Sequence, residues 1–277
     1  MKRLWIMFLA LVIMLSTNCA LASENNDTKT GSLAMMGVTP SELVEMITDH
    51  MLLSHDITVE LGQQIFYDNL TSLLMGLNSG EVDNIAILKS TAEYLLSQNP
   101  NFAIEPLEYT YTEYFSMVVL QENQELYNLL NNTLIELLQD GTVDKLVEEH
   151  ITGFINEKNP QVITMPKFEG APTIRVAVTG DLPPMDYVSA DGTPAGFNLA
   201  LLSKIAERTQ TNIEIVVVEN TARSIALSSG KADVIFWSKQ TQCPLPDCEH
   251  YMAVEVSEHS LFSVYYFKDD VVHVVKK

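Results

Sequence analysis

The segment that most constrains the fold spans residues 173–237, where strand-like and helix-like runs alternate. The strand-like runs are residues 174–178, 213–218 and 233–237, and the helix-like runs are residues 197–209 and 221–229. Strands that alternate with helices predict crossover connections and a parallel sheet. Ligands of such sheets lie beyond the carboxyl ends of the strands. Here those ends are residues 179–187, 219–221 and 237–239.

A short pattern occurs twice in the chain. Residues 77–85 and 227–235 share Leu-x-Ser-Gly-x-x-Asp-x-Ile. The pattern predicts a helix end, a glycine in the left-handed conformation and a return into a buried strand. Because it occurs twice, it indicates two similar α/β lobes.

The charge and the motifs narrow the class of function. The chain has 36 acidic and 16 basic residues, for a net charge of -20. A basic stripe for nucleic acid is absent from the sequence. The sequence also lacks an ordered Ser-His-Asp set, a supported pair of catalytic carboxylates and a Gly-rich phosphate loop. We therefore expect a protein that is not an enzyme, without a cofactor, a metal or a nucleic-acid partner.

Residues 1–22 have the pattern of a secretory signal peptide. Lys2 and Arg3 precede an apolar run that is short for a bilayer span, and small residues follow at a cleavage site. A lipid anchor on Cys19 is the less favoured alternative, because Asn18 is bulky for such a site. We expect an exported protein, secreted, periplasmic or at the cell surface, with residues 23–31 disordered and no later membrane span.

Cys243 and Cys248 remain after cleavage, in a proline-rich loop. In an oxidising compartment a disulfide between them is the first interpretation. Zinc binding with His250 and His259, or two free thiols, are the alternatives.

The rest of the chain divides at a linker. Residues 32–110 predict one α/β lobe, with strands at 64–67 and 83–88. Residues 111–155 predict a strand at 114–120 and helices at 126–138 and 143–150, and the proline-rich residues 156–172 predict a linker. Residues 173–277 predict a second α/β unit that ends in strands at 263–267 and 271–275, with a break at Asp269 and Asp270.

Further motifs resemble a known family. Pro183-Pro184 is followed by Asp191-Gly192-Thr193-Pro194-Ala195-Gly196-Phe197 before a helix, and residues 77–88 and 130–151 carry a helix–turn–strand and a pair of closing helices. Together these resemble the family 3 extracellular solute-binding proteins of ABC transporters. The resemblance implies an α/β, two-lobed periplasmic-binding-protein type II fold. The segments stand in reversed order, which predicts a circular permutation of the lobes; two truncated modules in tandem are the alternative.

The resemblance also implies a function. The chain is expected to capture a small polar solute in an inter-lobe cleft for an ABC transporter, with a membrane permease as partner. A non-transport extracellular sensor or partner-binding protein of the same fold is the alternative. The family grips an amino acid with an Arg after a first-lobe strand and an Asp in the second lobe. Residues 237–243 and 88–89 lack both, which weakens an α-amino acid as the ligand.

Nine residues at predicted strand ends and helix starts are candidate ligand contacts. They are Asp181, Met185, Tyr187, Trp237, Ser238 and Lys239 in the first lobe, and Thr39, Ser41 and Lys89 in the second. Packing within the lobe is the alternative for Met185, Tyr187 and Trp237, and helix capping is the alternative for Thr39 and Ser41. Arg223 is expected on the surface.

Overall fold

The computed structural model describes residues 28–33, 63–106, 112–157, 163–189, 192–242, 251–252 and 259–277. The predicted signal peptide, the helix start with Thr39 and Ser41, and the pair Cys243 and Cys248 lie outside these residues. Among the described helices, none is both long and apolar enough to cross a membrane.

The described elements follow an α/β order. The strands are β1 (Lys29–Leu33), β2 (Gln63–Tyr67), β3 (Asn84–Leu88), β4 (Phe102–Glu105), β5 (Thr112–Leu120), β6 (Thr173–Val178), β7 (Asp181–Leu182), β8 (Asp186–Val188), β9 (Pro194–Ala195), β10 (Asn212–Val217), β11 (Val234–Gln242), β12 (Tyr251–Met252), β13 (Ser260–Phe262) and β14 (Phe267–Lys276). The α-helices are α1 (Leu70–Ser79), α2 (Lys89–Gln98), α3 (Gln124–Gln139), α4 (Thr142–Val147), α5 (Gly153–Glu157), α6 (Phe197–Thr209) and α7 (Arg223–Ser228). A π-helical turn at Glu148–Thr152 joins α4 to α5, and a 3-10 turn at Asn220–Ala222 precedes α7.

The strands form two lobes of matching design. In the first lobe β10, β6 and β11 are parallel, and β5 follows antiparallel with β13 at its far side. In the second lobe β2, β1 and β3 are parallel, and β14 follows antiparallel with β4 beside it. The repeated pattern lies at the same place in each, and its glycines have φ of 78° at Gly80 and 69° at Gly230.

The strand β14 joins the lobes. Its residues 267–270 pair with β5 of the first lobe, and its residues 271–275 pair with β3 of the second. The predicted break at Asp269 and Asp270 is therefore wrong. The strand continues because the backbone groups on both sides of this point find partners, although the partners belong to different lobes.

The first-lobe core draws on distant parts of the chain. Leu134 and Leu137 of α3 and Val143 of α4 share one buried cluster with Val176 of β6 and Phe236 of β11. Two separately packed bodies would not share this core, so the tandem-module alternative is wrong. A second cluster, around Leu73, Ile85 and Val274, forms the core of the second lobe.

Three local expectations differ from the structure. Residues 29–31, expected to be disordered, belong to β1, which is held by β2 on one side and β3 on the other. The strand β4 was not expected; it follows the helix-stopping Asn99-Pro100 and pairs with β14. The loop after β6 contains a small antiparallel sheet of β7, β8 and β9.

Candidate ligand-binding site between the lobes

The loop after β6 is organised by a buried carboxylate. Asp186 accepts hydrogen bonds from the Thr179 hydroxyl at 3.0 Å, from the Gly180 N–H and from the Asn198 amide at 2.9 Å. Burial raises the pKa of Asp186, against the opposing effect of these donors. At Gly196, where φ is 109°, a Cβ would lie 2.4 Å from the Met185 carbonyl oxygen. The loop can therefore close on the start of α6 only with glycine at this position.

The carboxyl end of β11 turns inward at a bulge. Trp237 has φ of 67°, and the register with β5 shifts between Ile235 and Ser238. The indole ring stacks on Phe115 at a centroid distance of 3.8 Å, and the backbone N–H of Trp237 donates to the Tyr266 hydroxyl at 3.0 Å. Trp237 is thus part of an aromatic cluster in the first-lobe core.

Arg223 stabilises this bulge through hydrogen bonds to its backbone. Its Nη1 donates to the carbonyl oxygens of Phe236 at 3.1 Å and Trp237 at 2.8 Å, and the residue is 1% exposed. The expected surface position is therefore wrong. The two carbonyl oxygens offset the cost of burying the guanidinium by accepting its hydrogen bonds, and Asp186 offsets it by Coulombic attraction. Nothing in the sequence around this arginine indicates that it is buried.

Charged residues meet where the lobes join. Lys239 Nζ lies 3.3 Å from Glu113 Oε1, and their side chains are 19% and 6% exposed. Glu113 on β5 stands opposite Asp269 on β14. Asp269 accepts a hydrogen bond from the Ser90 N–H at 2.9 Å, at the start of α2 beside Lys89. Burial raises the pKa of Asp269 to about 6.

Two carboxylates connect the lobes directly. Asp181 of the first lobe accepts a hydrogen bond from the Leu70 N–H, the first residue of α1, at 2.8 Å. The carboxylate of Asp68 in the second lobe accepts from the Thr221 hydroxyl at 2.9 Å, and the backbone carbonyl oxygen of Asp68 accepts from the Asn220 side-chain amide at 3.1 Å. Burial is the main cause of a raised pKa at Asp181.

Three aromatic rings also connect them. Phe154 of α5 stacks on Tyr94 of α2 at 5.4 Å and on Tyr187 of β8 at 5.3 Å between centroids. Phe154 is 8% exposed, and burial raises the pKa of Tyr187 to about 12. The stack joins the second lobe to the predicted ligand loop of the first.

The structure divides the predicted ligand contacts into two groups. Asp181 and Tyr187 contact the second lobe or the α5 segment, and Lys239 and Lys89 lie beside the charged junction. A further three, Met185, Trp237 and Ser238, are buried within the first lobe, where their side chains pack. Ligand contact by any of them stays a prediction, and Thr39 and Ser41 lie outside the described residues.

Several residues of the junction were not anticipated. Asp68, Tyr94, Glu113, Phe154 and Asp269 come from elements whose meeting depends on the long-range fold. A hint existed only for Asp68, which directly precedes a recognisable helix start. Within the described residues, no group of three or more His, Cys, Asp or Glu side chains is placed to hold a metal ion.

Two α/β lobes of matching strand order, joined by the crossing strand β14 and meeting at polar residues, define a two-lobed periplasmic-binding-protein-like protein. Residues 174–242 match the model of the bacterial extracellular solute-binding proteins, family 3, which confirms the family resemblance over the segment that contains β6 to β11.

Solved structures with a similar course of the chain include binding components of ABC transporters and a ligand-binding core. The ligand-binding component of an ABC-type import system from Staphylococcus aureus, with zinc bound, aligns at 10% identity and a TM-score of 0.40, over 91% of this chain and 66% of that one. The probable amino-acid ABC transporter extracellular-binding protein YtmK from Bacillus subtilis aligns at 14% identity and 0.40, over 91% and 85%. The GluR0 ligand-binding core from Nostoc punctiforme, in complex with L-glutamate, aligns at 9% identity and 0.36, over 90% and 85%.

This chain spans about two thirds of the length of the Staphylococcus aureus protein. No curated protein matches significantly.

Proposed function

We propose that this protein is an exported solute-binding protein that captures a small polar solute between its two lobes and delivers it to a membrane permease of an ABC transporter. The main observation behind this proposal is that charged and aromatic side chains meet at the junction of the two lobes, which β14 joins. They include Lys239, Glu113 and Tyr187. The match of residues 174–242 to family 3 supports the class.

Closure of the lobes would be the means of capture. In two-lobed binding proteins the lobes turn about a few residues of the connecting strands. Here residues 179–187 and 237–239 would move toward the edge of the second lobe at Leu88 and Lys89. The predicted export from a signal peptide and the permuted order of the lobes belong to the same proposal. In support of the permuted order, the closing helices α3 and α4 share a core with β6.

The test begins with the solute that accompanies the protein. Native mass spectrometry of protein purified from its own cells should show a bound small molecule, and titration of that molecule into solute-free protein should change the radius of gyration. Trp237 fluorescence should change with it, because Trp237 is the tryptophan that remains after the predicted cleavage. Binding without any change in the radius of gyration would contradict capture by closure.

A matched pair of variants localises the site. Lys239→Gln should weaken binding by about tenfold or more, because it removes a cation from the junction. Lys204→Gln removes an exposed lysine that pairs with Glu207 on α6 and should leave binding unchanged. Equal affinities of the two variants would place the solute elsewhere.

A sensor without transport is the second candidate. The direct bond between Asp181 and the start of α1 supports it, because this bond joins the two lobes through groups of the chain itself. A sensor would change its lobe arrangement when it meets a partner protein, whereas a transport protein would restore solute uptake to cells that lack it. Uptake measured in such cells separates the two functions.

A further inference from the structure

The start of α1 is occupied by a group from the other lobe. Asn69 Oδ1 accepts from the Ser72 N–H at 2.9 Å, and Asp181 Oδ2 accepts from the Leu70 N–H at 2.8 Å. A helix N-terminus leaves backbone N–H groups without partners in the helix and favours negative charge. The second lobe therefore satisfies one of these donors with a carboxylate of the first lobe.

The contact is reciprocal between equivalent positions. The two copies of the repeated pattern are offset by 150 residues (227 − 77), and so are Leu70 and Asn220 (220 − 70). At the second of these starts, the Thr221 hydroxyl donates to the Asp68 carboxylate, and the Asn220 side-chain amide donates to the Asp68 backbone carbonyl. Each lobe thus binds an aspartate of the other lobe, at equivalent positions: at the start of α1 in the second lobe and at the turn before α7 in the first.

The ring of Phe154 adds a contact of different chemistry. It lies between Tyr94 of the second lobe and Tyr187 of the first, with both ring pairs stacked. Stacked aromatic pairs are attractive beyond the area that they bury. Phe154 comes from α5, which follows the closing helices of the first lobe, so one ring connects three segments.

We infer that Asp181, Asp68 and Phe154 form an inter-lobe latch, which holds the two lobes together through groups of the chain itself. The inference goes beyond solute capture, because the latch closes the lobes whatever the solute is. A solute that enters between the lobes then has to displace at least one latch contact. The latch consequently lowers the affinity for solute and sets how far the lobes open at rest.

The test measures the distance between two spin labels, one in each lobe. Met75 on α1 and Ile225 on α7 are each 66% exposed, one in each lobe, and accept a spin label after Met75→Cys and Ile225→Cys with the native cysteines changed to serine. Pulsed electron–electron double resonance of the labelled, solute-free protein should give one narrow distribution of distances between the two labels. The double change Asp181→Ala and Phe154→Ala should add a longer-distance population that the labelled parent lacks.

Matched controls remove equivalent contacts inside one lobe. Asp140→Ala deletes a carboxylate that accepts from the Thr142 N–H at 3.0 Å, and Tyr265→Ala deletes an edge contact with Tyr114; both contacts lie in the first lobe. Neither change should alter the distance. An unchanged distribution in the latch variant, or a broad one in the labelled parent, would overturn the inference.

Milder variants keep the test valid if the double variant does not fold. Asp181→Asn keeps the size of the side chain but removes its charge, and Thr221→Val keeps the shape but removes the hydroxyl that donates to Asp68. Each should broaden the distance distribution toward longer values while circular dichroism stays that of the parent. Distributions identical to the parent for both would contradict the latch, and the proposal of solute binding would be unaffected.

Discussion

Asp233 holds Arg175 of the neighbouring strand β6 through both its backbone and its side chain. The Asp233 N–H donates to the Arg175 carbonyl at 2.8 Å, and the Arg175 N–H donates to Asp233 Oδ2 at 2.8 Å. In the second lobe Asp83 makes the same two bonds with Lys29, again at 2.8 Å each. The aspartate of the repeated pattern therefore fastens the returning strand to the first strand in both lobes.

The first prediction concerns this fastening. Asp83→Ala and Asp233→Ala should each lower the free energy of unfolding by about 1–3 kcal/mol, because each leaves a strand N–H without its carboxylate acceptor. Urea unfolding measures the effect. Lys231→Ala, an exposed change in the same turn, should cost less than about 0.5 kcal/mol. Equal stability of all three variants would show that the aspartates are not structural.

The second prediction concerns Arg223. Arg223→Met should destabilise the protein by about 3 kcal/mol, because two buried carbonyl oxygens lose their donor and Asp186 loses a compensating charge. Arg208→Met is the control: it breaks exposed ion pairs with Glu136 and Asp140, which solvent screens, and should cost much less stability. Similar losses for the two arginines would contradict the assigned role.

The third prediction concerns pH and Asp269. Because burial raises the pKa of Asp269 from 3.8 to about 6, its charged form costs stability at pH 8, and this cost decreases as pH falls from 6 towards the pKa of the unfolded chain. Asp269→Asn should therefore gain stability over the parent by roughly 2 kcal/mol more at pH 8 than at pH 4. Urea unfolding at both pH values measures this difference.

Asp140 provides the opposite case. Hydrogen bonds from Thr142 and Arg208 lower the pKa of Asp140 to about 2, so its carboxylate is charged in the folded protein from pH 5 to pH 8. Asp140→Asn should differ from the parent by a constant amount across that range. A pH-independent offset for Asp269→Asn as well would show that Asp269 does not titrate near pH 6.

The fourth prediction uses two glycines with positive φ. At Gly192, where φ is 84°, an added Cβ meets nothing within 4 Å, whereas at Gly196 it meets the Met185 carbonyl oxygen. Gly192→Ala should cost about 1 kcal/mol from backbone strain alone, and Gly196→Ala about 3 kcal/mol or more. Thermal unfolding compares them, and a smaller loss for Gly196→Ala would contradict the tight approach of the loop to α6.

The fifth prediction follows from the sequence. Cys243 and Cys248, both outside the described residues, should form a disulfide in the exported protein. Alkylation followed by mass spectrometry should modify neither cysteine before reduction and both after it. Modification of both cysteines without reductant would contradict the disulfide, and free thiols or a zinc site would remain as the alternatives.

Local pattern predicted most regular elements of the chain. The helix α6 was expected at residues 197–209 and occurs as Phe197–Thr209, because its apolar side chains recur at helical spacing. The match between residues 77–85 and 227–235 predicted two similar lobes, because a glycine turn between helix and strand is a local structure. Helix and strand formation depends on neighbours in sequence, and for that reason the sequence contains the information.

The site depended on contacts over long distances in the chain. Trp237 and Arg223 were expected at the ligand or the surface, but the bulge in β11 turns the ring inward onto Phe115, and the buried guanidinium supports the bulge. No local pattern signals a bulge whose register is set by β5, more than a hundred positions earlier in the chain.

By itself, the sequence determined the α/β class, the two lobes and the family resemblance, because periodicity, turn residues and short motifs act over a few neighbouring residues. Only the tertiary structure decided that β14 passes unbroken from one lobe to the other, and that Asp181, Asp68 and Phe154 meet the opposite lobe. Such contacts depend on the order in which strands pair and on the relative placement of the lobes. The physical reason is that a carboxylate or a ring acquires its partner only after distant segments have folded against each other.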